Sequence, residues 1–424
     1  MTPPGSGDPR PIQEPPRTHD LALLTSARTL RGLGAGMLSV VLVLELARAG
    51  YSPLAIGIAL GGAMAASAAW SILVPGGYLP FSPRGRFAVG ALAVAAGGLL
   101  LWFQIANPWI LLLALVLGGI VAGGADISPL GALEQGAVSR AAEDRERTRT
   151  FAVYNLAGYL GTAAGALLAG PLSDIAWAPA GAPAGPRDIA LLLYALLGLA
   201  LIPTYFVLST RALPADTGRS YRPLSPASRG PVLRLSGLFT VDAFGGGMAS
   251  NAIVTLFLLL RFQASAGTIG AILAIANVAA AASLLLAVPL AKRFGLVNTM
   301  VFTHIPSSVL LILFAFAPTV AIAAVLWVAR ATLSQMDVPT RQSYTQAIVP
   351  REEGPAAAGY TTAARSAQAL GSPVSGALFA AGGPWLEGPF AIAGSVKIAY
   401  DLALYRGFRH RRPPEEQGPA GNRA

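Results

Sequence analysis

The hydrophobic positions of this chain run on instead of alternating with polar ones in short, soluble-type segments. From residue 22 to residue 406, long apolar stretches follow one another, broken by short polar connectors. A helix that crosses a bilayer needs about 20 consecutive, mostly apolar residues. On that measure the pattern predicts twelve spans, at 22–47, 54–78, 86–104, 109–136, 150–172, 188–209, 233–260, 267–290, 298–317, 319–346, 357–381 and 389–406. Pro53, Pro108, Pro318 and the run Gly382-Gly383-Pro384 stand at the breaks. The longest connector, 210–232, is polar and Pro-rich, and it divides the spans into two sets of six. The predicted organisation is an N-terminal tail 1–21, a bundle 22–209, a linker 210–232, a second bundle 233–406 and a C-terminal tail 407–424. The first nineteen residues are polar and Pro-rich, read as disordered, and lack the apolar core of a signal peptide.

Composition agrees with this reading. Only 12% of the 424 residues are charged, against about 25% in soluble domains, while 54% are hydrophobic. That is too little charge to coat a soluble surface, which excludes a cytosolic enzyme, a nucleic-acid-binding module and a disordered chain. The net charge of +10 does not signal a nucleic-acid partner, because Lys292 and Lys397 are the chain's two lysines and the other 28 basic residues are arginines in an Ala-, Gly- and Pro-rich sequence. The chain has no cysteine, and His19, His304 and His410 are scattered, so no metal site and no cofactor are expected.

Basic residues set the predicted orientation. Arg84 and Arg86, Arg140, Arg145, Arg147 and Arg149, Arg211, Arg219, Arg222 and Arg229, Lys292 and Arg293, Arg351, and the tail Arg406, Arg409, Arg411 and Arg412 all fall on one side. The opposite loops offer Arg48, Arg187 and Arg261. The positive-inside rule then places both termini in the cytoplasm. Trp102, Trp109, Trp177 and Trp385 fall at the outer interface, as an aromatic belt would.

The two sets of spans repeat. Gly34-Ala35-Gly36-Met37-Leu38-Ser39 matches Gly245-Gly246-Gly247-Met248-Ala249-Ser250, and Ala125-Asp126-Ile127 matches Met336-Asp337-Val338, both at an offset of 211. Leu160-Gly161-Thr162 matches Leu370-Gly371-Ser372 at 210. Parallel repeats imply a pseudo-two-fold axis along the membrane normal, with a site between the halves. Twelve spans, cytoplasmic termini, a 6+6 repeat and a long middle loop resemble the major facilitator superfamily. Gly77-Tyr78-Leu79 with Arg84-Gly85-Arg86 is similar to a degenerate copy of that family's loop 2–3 signature, and Pro289-Leu290-Ala291-Lys292-Arg293-Phe294-Gly295 to its loop 8–9 twin. The signature's usual aspartate is missing, with Phe81 and one extra residue in the loop. The resemblance covers roughly residues 22–406 and implies an all-α integral membrane fold of two pseudo-symmetric six-helix bundles.

Charges inside the spans are the candidates for function, since each costs about 2.5–3.5 kcal/mol to insert at the bilayer centre. Arg28 and Arg31 share a face of span 1, and the repeat partner of Arg31 is Asp242, early in span 7. The resemblance implies that spans 1 and 7 face each other across the cavity, which would let Arg31 and Asp242 pair, with Arg28 snorkelling to the interface. Span 10 carries Arg330, Ser334, Asp337 and Arg341 as one polar stripe, with Asp126 and Glu134 as its counterpart in span 4. Span 11 carries Thr361, Arg365, Gln368, Ser372 and Ser375, opposite Asn155, Tyr159 and Thr162 of span 5. Lys397 and Asp401, four apart in span 12, read as a local ion pair, and His304 and Asn277 as lone structural polar residues. Arg31, Asp126, Asn155, Asp242, Arg330, Asp337, Arg365 and Gln368 are therefore expected at the substrate or coupling site. Arg84, Arg86, Glu134, Lys292, Arg293 and Arg341 are expected in gating or helix latching.

These features point to a monomeric secondary transporter in a bacterial cytoplasmic membrane. It would move a small organic solute, anionic, zwitterionic or amphipathic, by alternating access; proton coupling is expected, and the absence of a sugar-porter or other uptake signature inclines the expected direction to export. The alternatives are a non-transporting receptor or assembly protein on the same scaffold and, with no nucleophile motif or metal spacing to support it, a membrane enzyme.

Overall fold

The first turns of many helices are written in the sequence as Ser-Pro. At Ser52-Pro53, Ser82-Pro83, Ser128-Pro129 and Ser225-Pro226, proline opens the helix where its missing N–H costs nothing. The serine hydroxyl accepts from the backbone N–H three residues on, at Ala55, Gly85, Gly131 and Ser228. Ser250 and Ser265 cap two further helices in the same way without proline.

The structure, a computed structural model, describes residues 17–74, 80–118, 128–142, 147–177, 187–213, 224–350 and 353–409. Sixteen α-helices are found among them. The first set is α1 (Arg17–Arg48), α2 (Pro53–Leu73), α3 (Pro83–Gln104), α4 (Pro108–Gly118), α5 (Pro129–Ala141), α6 (Arg147–Ser173) and α7 (Ile189–Phe206). The second is α8 (Pro226–Met248), α9 (Asn251–Phe262), α10 (Ala266–Phe294), α11 (Leu296–Ala315), α12 (Val320–Ser334), α13 (Asp337–Ala347), α14 (Gly354–Arg365), α15 (Gln368–Ala381) and α16 (Gly388–Phe408).

Eight helical segments are long and apolar enough to cross a membrane, counting α8 and α9 together as Pro226–Phe262. The others depart from the expectation of twelve uninterrupted spans for visible reasons. Predicted spans 10 and 11 are each split, at Gln335–Met336 and Ser366–Ala367, where polar side chains interrupt the apolar run. The apolar part of span 4 is the short α4, and α16 carries Lys397, Asp401 and Arg406. Two helices also begin earlier than the hydrophobic pattern indicates: α8 at Pro226, capped by Ser225, and α1 at Arg17, whose first turn is tied down by Asp20 accepting from the Ser209 N–H and hydroxyl.

The outside of the bundle is apolar. Ile58, Phe302, Val325 and Leu370 are each more than half exposed, a surface that suits lipid and not water. Where helices touch, small residues bring backbones together. A Cβ on Gly36 of α1 would collide with the Thr162 backbone of α6. The two helix sets meet in the same manner: a Cβ on Gly376 of α15 would stand 2.9 Å from the Gly57 Cα of α2, and one on Gly170 of α6 would stand 2.5 Å from the Gly267 Cα of α10. Both contacts lie towards the helix ends remote from the chain termini, so the sets are closed against each other there. Gly376→Leu is expected to wedge α2 from α15. Because the chain has no cysteine, Met64→Cys supplies a single label on α2 beside Ser372 of α15. Its modification by an impermeant maleimide from the side remote from the termini should speed up several-fold in the Gly376→Leu background; an unchanged rate in folded protein would remove the wedge argument.

A two-residue antiparallel ribbon, β1 (Ala176–Trp177) and β2 (Arg187–Asp188), precedes α7. Asp188 caps α7 by accepting from the Ala190 N–H at 2.8 Å. Burial pushes its carboxyl up to about 6, above the ordinary value of about 3.9. Between those values the folded chain holds a proton that the unfolded chain has released, so stability falls as pH rises through this window. The melting point of the wild type relative to Asp188→Asn should therefore drop between pH 4 and 7. A difference independent of pH would contradict the assignment.

Candidate functional site

Two buried polar networks occupy related places in the two helix sets. In the first set, Arg31 of α1 reaches across to Glu134 of α5. Its Nε donates to Glu134 Oε1 at 2.9 Å and its Nη2 to Oε2 at 2.7 Å. Tyr154 of α6 donates to Oε2 at 2.5 Å, and the Tyr205 hydroxyl of α7 donates to Oε1. Arg31 Nη1 also donates to Ser128 Oγ, the cap of α5, at 2.9 Å. Glu134 is fully buried. A bidentate ion pair with two further donors leaves its carboxylate saturated, as a charge held permanently inside a protein must be.

The second network is larger. Asp242 of α8 receives the Lys397 ammonium of α16 at 2.5 Å and Arg341 Nη1 of α13 at 3.4 Å. Arg341 also holds Asp337, one turn back, at 2.7 Å. His304 of α11 places Nδ1 2.9 Å from Asp401 of α16 and Nε2 3.8 Å from Asp242. All six side chains are buried. Spans 1 and 4 are joined by Arg31 and Glu134; spans 7 and 10 are joined with the signs exchanged by Asp242, the repeat partner of Arg31, and Arg341, which lies one turn before Thr345, the repeat partner of Glu134.

These contacts correct two sequence expectations. Arg31 and Asp242 are not each other's partners; each is bound within its own helix set, where a short helix-to-helix reach allows full hydrogen bonding. Lys397 and Asp401 are not a local pair either, because their side chains turn to Asp242 and His304 on neighbouring helices. Arg28, expected to snorkel, lies part-buried over the Tyr154 ring, 5.5 Å from its centroid.

Arg330 and Arg365 sit at the edge of the second network. Arg330 of α12 stacks on Trp327 at 4.7 Å, with its Nε buried and lacking a hydrogen-bond partner among the described residues. Arg365 ends α14 beside the break at Ser366–Ala367. Both are part-buried and within electrostatic reach of Asp242 and Asp337. Neither has a carboxylate within 4 Å among the described residues. Nearby, Tyr159 of α6 donates to Gln335 Oε1 at 2.7 Å, a hydrogen bond between the helix sets at the break in span 10.

The remaining candidates disperse. Asn155 and Gln368 are part-buried, and the Gln368 carbonyl packs against Gly247 of α8. Arg84 donates to the Leu208 carbonyl at 3.0 Å, holding the end of the first set. Arg86 is buried and Arg293 exposed. Asp126 and the side chain of Lys292 lie outside the described residues. The polar face of span 11 is largely helix-to-helix bonding: Ser372 and Ser375 donate to the Gly247 and Met248 carbonyls at 3.0 and 3.1 Å. Sequence reasoning underrated His304, Lys397 and Asp401. The signal was present, since Lys397 is one of two lysines in the chain and stands within a span, where an ammonium demands a partner.

A family model for the Major Facilitator Superfamily matches residues 235–424. Over 91% of its length the chain is 22% identical to a membrane protein of Saccharomyces cerevisiae, YJR124C, covering 93% of that protein. Its fold is similar to that of a bacterial homolog to the human lysosomal transporter Spinster in an inward-facing and occupied conformation, with a TM-score of 0.66 at 17% identity over 93% of this chain and 96% of that one. It is also similar to the nucleoside transporter NupG, with a TM-score of 0.65 at 13% identity over 92% and 100%. The human organic anion transporter MFSD10 gives 0.63 at 13% identity over 92% and 100%. Residues 235–424 are thus similar to the Major Facilitator Superfamily, and the fold of the described residues is that of these solved transporters.

Proposed function

We propose that the chain is a proton-coupled secondary transporter of a small organic anion. The observation that carries this reading is a charge imbalance. Arg330, Arg341, Arg365 and Lys397 face Asp242, Asp337 and Asp401, so fixed cations outnumber carboxylates around the second network among the described residues. Charge inside a membrane protein is costly unless something balances it. Two guanidiniums without a carboxylate partner among the described residues offer paired donors to a carboxylate, sulfonate or phosphate. The residues 22–209 and 233–406 would be the rocking bundles, with 210–232 as the linker between them. The site would lie between the bundles, as in other parallel-repeat carriers.

A thermal-shift screen of purified protein against matched anionic, zwitterionic, cationic and neutral solutes tests this directly, because a ligand that binds the native state raises its melting point. Stabilisation should come from anions and disappear in Arg330→Gln and Arg365→Gln. Stabilisation by cations or neutral solutes alone would defeat the reading.

A further inference from the structure

We infer that His304 is a proton-binding site whose occupancy is positively linked to anion binding at Arg330 and Arg365, so that proton and anion cross together. The inference rests on the anion-transport reading above and adds to it the titrating group and the sign of the coupling.

His304 is the one imidazole among the six buried side chains of the second network, and an imidazole can carry a proton on either ring nitrogen. Its two ring nitrogens address two different carboxylates, Asp401 at 2.9 Å and Asp242 at 3.8 Å. The charged and titratable groups of the network to which it belongs come from several helices. α16 supplies Lys397, Tyr400 and Asp401; α8 supplies Asp242; α13 supplies Asp337, Arg341 and Tyr344; α12 supplies Arg330; and Arg365 stands at the end of α14. The stretch 266–290 of α10 contains no charged residue. The Tyr400 ring meets the imidazole edge-on at 6.1 Å, and Ser307, one turn on from His304, donates to the Arg330 carbonyl at 3.4 Å.

Counting these charges gives the sign. With neutral imidazole, four cations stand against three carboxylates among the described residues, an excess of one. Protonation raises the excess to two. In a site of low dielectric, an added positive charge is resisted when the site is already positive and favoured when an anion has arrived. Anion and proton therefore each favour the other's binding, by the same factor in both directions. Net charge is also neutral when the anion alone is bound, so a proton that accompanies it gives the loaded carrier the same excess as the empty one. Transport of both in one direction would favour uptake under an inward proton gradient, whereas export would need exchange.

Calorimetry on the full chain in nanodiscs tests the linkage, with 1-naphthalenesulfonate as probe because it stays anionic throughout the range studied. Titrations at pH 6.5 to 7.5, in two buffers of different ionisation enthalpy, report the protons taken up per anion. The wild type should take up a fraction of a proton approaching one, and its affinity should strengthen towards low pH by up to about tenfold per unit. His304→Gln should take up none, and its affinity should cease to depend on pH. Asp401→Asn serves as a second variant should His304→Gln fail to fold, and it should reduce the uptake. Wild-type binding without proton uptake overturns the inference and leaves the anion reading standing, as does uptake unchanged in a folded His304→Gln. Absence of probe binding at every pH overturns the anion reading and this inference with it.

Discussion

Asp242→Asn is expected to destabilise the protein by about 3–5 kcal/mol, the usual cost of removing one partner from a buried ion pair. The substitution keeps the shape of the side chain and removes its charge. Lys397 would then be left with the Asp242 backbone carbonyl, 3.4 Å from its ammonium, while Arg341 would retain Asp337. Lys397→Met should cost a similar amount for the converse reason. The double variant should recover much of the loss, since neither half of the pair is then stranded. Melting in detergent checks this, and strictly additive losses would show that the 2.5 Å contact contributes no coupling. Proton-driven transport should also be lost in Asp242→Asn. Full retention would remove Asp242 from the coupling machinery.

Arg330→Gln and Arg365→Gln are expected to act on the substrate with little effect on the fold, because neither guanidinium is held by a carboxylate among the described residues. Each should lower kcat/KM for an anionic solute by about 10- to 100-fold, equivalent to one charge-assisted hydrogen bond of about 1.5–3 kcal/mol. Lysine should rescue poorly at either position, because a point charge does not reproduce the planar fork of a guanidinium. Initial rates in proteoliposomes measure this, and wild-type kinetics in both variants would place the substrate elsewhere.

The fold was legible because its strongest determinant is written as long apolar runs, and because Ser-Pro pairs mark several helix starts. The repeat was legible too: Arg31 and Asp242 do occupy related places. What the repeat concealed was which partner each would take. Sequence offset relates equivalent positions but does not say whether a side chain points across the axis or into its own bundle. Arg31 turns to Glu134 because α5 brings that carboxylate and Ser128 within reach, while Tyr154 of α6 and Tyr205 of α7 complete the carboxylate's hydrogen bonds. The pair Lys397 and Asp401 shows the complementary error. A spacing of four permits a bond along a helix, yet a better-buried carboxylate on α8 takes the lysine and a histidine on α11 takes the aspartate. The breaks at Gln335–Met336 and Ser366–Ala367 were likewise hidden, since no glycine or proline stands at either.

The central claim, carriage of an organic anion, is tested most directly by uptake into proteoliposomes of monoanions paired with neutral isosteres: benzoate with benzamide, and 1-naphthalenesulfonate with the corresponding sulfonamide. An imposed proton gradient should accelerate at least one anion above protein-free vesicles, leave its neutral partner at the background rate, and fail to do so in Arg330→Gln. Equal movement of anion and neutral partner, or anion uptake untouched by the loss of Arg330, would contradict the account.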